Sequence, residues 1–194
     1  GSGKTTVALY RAKHLLETQA NLFKETKIVI FTYNKTLAAY ITAIKPYISG
    51  GYQKDSDVIK PQSPNGLNVE IINFHSWAYH FAGIQYYQTV MQWRQIEIIE
   101  SIINKLSSNT SNILEKSAEF FQEEISWMKG KLFQTKDEYL EAARTGRGTS
   151  DRVTKADKEL IWVVFERYNQ ELKRLGKVDF DDYAILALRK IEND

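Results

Sequence analysis

Gly1-Ser2-Gly3-Lys4-Thr5-Thr6 opens the chain and carries the back half of the phosphate-binding pattern G-x-x-x-x-G-K-[ST]. Gly3, Lys4 and Thr5 supply its end, and the first glycine of the pattern is expected upstream of residue 1. Small residues let backbone N–H groups turn toward phosphate oxygens. The lysine then reaches the β/γ-phosphates, and the Thr5 hydroxyl serves as a ligand for Mg²⁺. The stretch from Val7 to Leu16 is helix-forming, so a helix dipole is aimed at the anion. Residues 1–6 are therefore the candidate nucleotide-binding stretch.

Composition sets the bounds around that motif. The 194 residues are 43% hydrophobic and 12% aromatic, enough to build a packed core, so disorder is not the default expectation. The length suits one domain, or one domain with a sizeable insertion. No apolar run approaches the roughly 18 residues of a spanning helix, so no membrane partner is expected. Cysteine is absent, which removes disulfides and cysteine-based zinc sites and fits a reducing, cytoplasmic setting. Net charge is only +2, so a nucleic-acid argument has to rest on local residues.

The chain begins as an α/β protein. Residues 5–19 form an amphipathic helix pattern with Leu9, Ala12, Leu15 and Leu16 on one face. Residues 27–33 are short, apolar and β-branched, the pattern of a parallel strand buried on both sides. Asn34 is placed to cap a second helix running to Pro46. Gly50, Gly51, Pro61, Pro64, Asn65 and Gly66 make residues 49–67 a polar loop. A second strand is expected over residues 69–73 and a short helix from His75 to Phe81. This alternation predicts a parallel sheet. From residue 84 the period changes to 3.6, through Ile96, Ile99, Ile103 and Leu106, then Leu114 to Met128, then Leu160 to Leu175. That is an all-helical block.

Two strand ends carry chemistry. Thr32-Tyr33-Asn34-Lys35-Thr36 lies at the carboxyl end of the first strand, where open α/β sheets bind ligands. Asn73-Phe74-His75-Ser76-Trp77 occupies the same place on the second. Each alone is compatible with a helix cap, a solvated lysine and core packing. Together, after a P-loop helix, they line one edge of one sheet. Arg144, Arg147 and Arg152 lie in a Gly- and Thr-rich turn, either a solvated loop or a set of phosphate contacts. His75 and His80 are five residues apart, the wrong spacing for paired ligands on one helix face, so no transition-metal site is expected.

These blocks resemble superfamily 1 DNA helicases of the UvrD/Rep/PcrA type. Gly3-Lys4-Thr5 matches the phosphate motif of that family. Tyr33-Asn34-Lys35 with Leu37-Ala38-Ala39, and Phe74-His75-Ser76, match its two single-strand-contacting motifs. Tyr168 followed by Gly176-Lys-Val-Asp-Phe-Asp-Asp182 resembles the return of the helical insertion to the ATPase core. Tyr33 stands where the family often has Thr, and Asn73 replaces the usual Thr before Phe-His.

The resemblance implies a partial RecA-like P-loop NTPase domain, class α/β, with an all-helical insertion subdomain. Residues 1–83 would be the first part of the ATPase domain, residues 84–175 the insertion and residues 176–194 the return segment. It implies ATP and Mg²⁺ as cofactors, with Lys4 and Thr5 in the catalytic role and Gly1, Ser2, Gly3 and Thr6 beside them. It implies single-stranded DNA, or single/double-strand junctions, as partner to Tyr33, Asn34, Lys35, Phe74 and His75, with Arg144 and Arg147 as further contacts.

The family's Walker B carboxylates are absent from these residues. Asp179 reads instead as a helix N-cap, with Asp182 in the first turn. The resemblance therefore implies further C-terminal helicase domains as partners, and no ATP hydrolysis by this stretch alone. Another P-loop NTPase or kinase with a helical lid, and a non-catalytic nucleic-acid-binding domain, remain open alternatives at this point.

Overall fold

Strand β1 (Lys27–Thr32) pairs in parallel with β4 (Asn68–Asn73), in a register running from Lys27↔Asn68 to Thr32↔Asn73. The computed structural model describes residues 3–19, 27–34, 36, 37, 39, 40, 52–55, 58–61, 68–106, 112–143 and 153–193. They fall into two compact units, Gly1–Trp77 and Ala78–Asp194. The described residues are mostly helical, with one small parallel and one small antiparallel two-stranded sheet.

In the first unit, helix α1 (Lys4–Gln19) buries Leu9 and Ala12 and leaves Val7 and Tyr10 in solvent. Along β1, Ile28, Ile30 and Thr32 are covered to different degrees while Val29 and Phe31 are exposed. The strand is therefore covered on one face among the described residues, not on both as its apolar run suggested. Within the expected loop over residues 49–67, residues 52–55 and 58–61 depart from it, and the rest of that stretch lies outside the described residues. Strands β2 (Tyr52–Asp55) and β3 (Val58–Pro61) form an antiparallel hairpin there, with Asp55 opposite Val58. Four-residue strands are too short to leave a periodic signal, and Pro61 sits at a strand end, where a missing N–H is tolerated.

Helix α2 (Phe74–Phe81) follows β4 with no intervening loop and leads into the second unit. There the 3.6-residue pattern becomes α3 (Gln92–Leu106), α4 (Ala118–Gly130) and α6 (Lys155–Leu175), with a short α5 (Lys136–Glu141) between the last two. Ile99, Phe121, Met128, Ile161, Val164 and Tyr168 meet in one apolar core. The helix ends are specified locally. The Ser117 hydroxyl accepts from the Phe120 N–H, and Thr135/Glu138 and Thr154/Asp157 form reciprocal capping boxes. Gly176 ends α6 in the left-handed region, with the Lys177 N–H returning to the Leu172 carbonyl at 2.9 Å.

Lys158 is buried because it closes another helix end. Its Nζ donates to the carbonyls of Tyr139, Leu140 and Ala142 at 3.1, 2.9 and 2.7 Å, so the charge replaces intrahelical donors that α5 lacks.

Helix α7 (Phe180–Asn193) closes the unit. The Val178 N–H donates to the Gln88 carbonyl at 2.9 Å, and the Val90 N–H donates to the Val178 carbonyl at 2.8 Å. The segments entering and leaving the helical block thus lie side by side. Around them, Thr89 Oγ1 lies 2.7 Å from the Tyr183 hydroxyl, and Lys190 Nζ donates to the Phe81 carbonyl at 2.9 Å. No helix of the described residues is long and apolar enough to cross a membrane.

Candidate nucleotide and nucleic-acid site

Gly3 has φ +65°, a left-handed conformation that glycine adopts without a Cβ penalty, and α1 starts at the next residue. The Val7 N–H bonds to the Gly3 carbonyl at 3.0 Å, which leaves the N–H groups of the first turn without intrahelical acceptors. No acidic residue occupies that turn, so nothing there offsets the positive end of the dipole. Lys4 and Thr6 are exposed and Thr5 is half-buried. A cation, a hydroxyl and free N–H donors at a helix start suit phosphate oxygens and a phosphate-bound Mg²⁺, so the residues present fit a nucleotide. Gly1 and Ser2 lie outside the described residues.

The parallel register brings the two strand ends together. Thr32 and Asn73 are partners, so Tyr33-Asn34 and Phe74-His75 leave the sheet side by side. The Tyr33 ring centroid is 5.2 Å from Phe74 and 5.6 Å from His75. Tyr33 is 71% exposed, so most of its surface is in solvent. The cluster extends further than its sequence signal. Phe31 lies 5.1 Å from Trp77 and 5.9 Å from Phe74, both edge-on, and Trp77 is 5.9 Å from Phe74. Both additions follow from periodicity. Phe31 lies in β1 two positions before Tyr33, and Trp77 follows Phe74 by three on a helix.

Asn34 has a local task. Its Oδ1 accepts from the N–H groups of Thr36 at 2.8 Å and Leu37 at 3.2 Å, capping the helical residues that follow. Its own N–H donates to Thr32 Oγ1 at 3.2 Å. That engages its acceptor and leaves the amide nitrogen as the group able to meet a ligand. Lys35, Arg144 and Arg147 lie outside the described residues.

The sequence also missed a second polar cluster, in the other unit. Asp179 Oδ1 accepts from the Asp182 N–H at 3.1 Å, and the Asp179 N–H donates to Asp182 Oδ2 at 3.0 Å. This is the expected N-cap, in reciprocal form. The remaining carboxylate oxygens turn inward. Lys129 Nζ donates to Asp179 Oδ2 and Asp182 Oδ1, each at 2.7 Å, and the Tyr168 hydroxyl donates to Asp179 Oδ2 at 3.0 Å. Ser126 Oγ donates to Asp181 Oδ1 at 3.1 Å. Burial and the neighbouring Asp179 charge push Asp182 above the usual carboxylate range, against the pull of Lys129. Burial, then the charge and hydrogen bond of Asp179, drive the Tyr168 phenol far above its ordinary value, so it stays a donor.

With that geometry in place, the comparison with known families is decisive. A family model described as the UvrD/REP helicase N-terminal domain matches residues 1–194. The chain belongs to the UvrD/REP helicase family. No curated protein matches the chain. Membership in the UvrD/REP helicases supports helicase as the general enzyme class.

Proposed function

We propose that the chain supplies the nucleotide-binding and strand-contacting part of an ATP-dependent motor that moves on single-stranded DNA. On this reading residues 1–83 and 176–194 belong to a RecA-like domain, and residues 84–175 are inserted in it. The observation that carries it is the pair of aromatic strand ends. Tyr33, Phe74 and His75 form one partly exposed ring cluster beyond the carboxyl ends of two paired parallel strands.

The chain's own residues would act as follows. Lys4 neutralises the outer phosphates of ATP, and the Thr5 hydroxyl holds Mg²⁺, while first-turn N–H groups orient the phosphate chain. Bound Mg²⁺ supplies charge neutralisation on the phosphates. The carboxylates that orient the attacking water are not among these residues, so hydrolysis needs further parts of the motor. Tyr33 and Phe74 stack on bases, which tolerates any sequence because every base has a π-face, and such contacts can be released one at a time. Lys35, Arg144 and Arg147 supply phosphate contacts, which position the strand without reading it.

The test is binding of a labelled oligothymidylate to the full-length protein at several salt concentrations, read by fluorescence anisotropy. Phe74→Ala is expected to weaken binding by roughly 1–3 kcal/mol with little sequence preference. Lys35→Ala is expected to flatten the dependence of log affinity on log salt by about one counterion. Two variants that bind like wild type would place the DNA track elsewhere.

A further inference from the structure

Asn73 ends β4 in register with Thr32, the last residue of β1. Beyond that pair no ladder bond of the described residues holds Tyr33 to the neighbouring strand. The Asn73 amide takes over there. Its Oδ1 accepts from the Ser76 N–H at 3.1 Å, which caps α2 and fixes the helix that presents Phe74 and His75. Its Nδ2 donates to the Tyr33 carbonyl at 3.0 Å. One planar group therefore fixes the start of one aromatic segment and the backbone of the other. A shorter hydroxyl side chain could cap α2 but would lack the second arm.

We propose that Asn73 is a positioning residue that ties the two strand ends into one stacking platform, so that Tyr33 and Phe74 engage a nucleic-acid strand as a unit. The inference rests on the single-stranded-DNA reading above. Its physical basis is preorganisation. Tyr33 is largely in solvent, and a ring already fixed before binding has less conformational freedom to lose when a base stacks on it. Releasing it is expected to weaken binding about 3- to 10-fold, the usual cost of immobilising one side chain.

The deciding variant is Asn73→Ser, which keeps a capping oxygen for the Ser76 N–H and removes the arm to Tyr33. In the full-length protein, with the melting temperature checked for each variant, Asn73→Ser should weaken oligothymidylate binding about 3- to 10-fold. Tyr33→Ala should weaken it as well, and the double variant should be no worse than Tyr33→Ala alone. Additive losses would mean that Asn73 acts on the fold rather than through Tyr33, and would overturn the proposal. A second reading needs no DNA. Fluorotyrosine placed at position 33 should give a narrower ¹⁹F resonance, moved toward its free-peptide position, in Asn73→Ser than in wild type. An unchanged resonance overturns the proposal whatever the binding data. Should wild type not bind oligothymidylate, the single-stranded-DNA reading fails and with it the platform's use, while the ¹⁹F spectrum still decides whether Asn73 holds Tyr33.

Discussion

Lys129 Nζ sits 2.7 Å from Asp179 Oδ2, with both side chains almost entirely removed from solvent and the two residues 50 positions apart in the chain. The pair joins the last turn of α4 to the residue that caps α7. Because Asp182 Oδ1 is also 2.7 Å from the same nitrogen, one cation balances two carboxylates. A buried charge without a partner is far more costly than an exposed one, so this contact is sensitive to loss of either side.

Lys129→Met should therefore lower stability at neutral pH by about 3–5 kcal/mol, since it leaves two carboxylates facing each other without a cation. Urea unfolding of the chain measures this. The loss should shrink as pH falls through the acid range, because protonation removes the charge that was stranded. A loss that stays constant with pH would mean that the defect is one of packing alone.

Asp182 makes a separate prediction about wild type. Its carboxyl is held above the usual range by burial and by Asp179. A raised folded-state value means the native state binds the proton more tightly than the unfolded chain. The corresponding stability is complete below about pH 4, the ordinary carboxylate value, and is lost as pH rises through the folded value. Asp182→Asn cannot titrate. The stability of wild type relative to Asp182→Asn should therefore fall as pH rises across that window, which unfolding curves at a series of pH values will register.

Leu132 follows α4 with φ 57°, a left-handed conformation that costs a residue with a Cβ about 1–2 kcal/mol. The Phe133 N–H returns to the Met128 carbonyl at 3.3 Å, so Leu132 occupies the place where helices commonly end in glycine. Leu132→Gly should stabilise the chain by about 0.5–1 kcal/mol after the entropy of the unfolded glycine is counted. Thermal denaturation should show a rise of a few degrees. A fall would mean that the half-exposed leucine side chain contributes more by packing than its backbone costs.

Lys4→Ala tests the other end of the proposed site. With the α1 fold retained, ATPase activity of the full-length protein should drop to background, because the outer phosphates lose their charge-assisted contact. Turnover at the wild-type rate would remove Lys4 from the chemistry.

The sequence made some of this legible and hid the rest, for physical reasons. The 3.6-residue spacing through Ile99, Phe121 and Val164 marks helices whose buried faces form one core, and the structure has them. Strands 27–32 and 68–73 and the cap at Asp179 follow from β-branched runs and N-cap chemistry, both local properties. The hairpin at residues 52–61 escaped because its strands are short and ringed by turn formers. Lys129 escaped for another reason. A lysine in the last turn of a helix already has a sufficient local explanation in the dipole, and nothing local announces carboxylates 50 residues away. Asn73 is similar: its capping arm is a local property, whereas its arm to Tyr33 spans 40 residues and exists only once the strands are in register.

The contact between Val178 and residues 88–90 has a consequence for how the chain tolerates change in length. Residues 91–177 leave from and return to one point, stitched by two backbone hydrogen bonds. The closure cost of such an excursion grows only with the logarithm of its length, about 0.6 kcal/mol for each doubling. Helices can therefore be added to or deleted from the excursion without moving its endpoints, provided the added residues bury their own apolar faces. The arrangement works as a socket. What is plugged into it can diverge in size and surface while the stitch at Gln88, Val90 and Val178 stays in place.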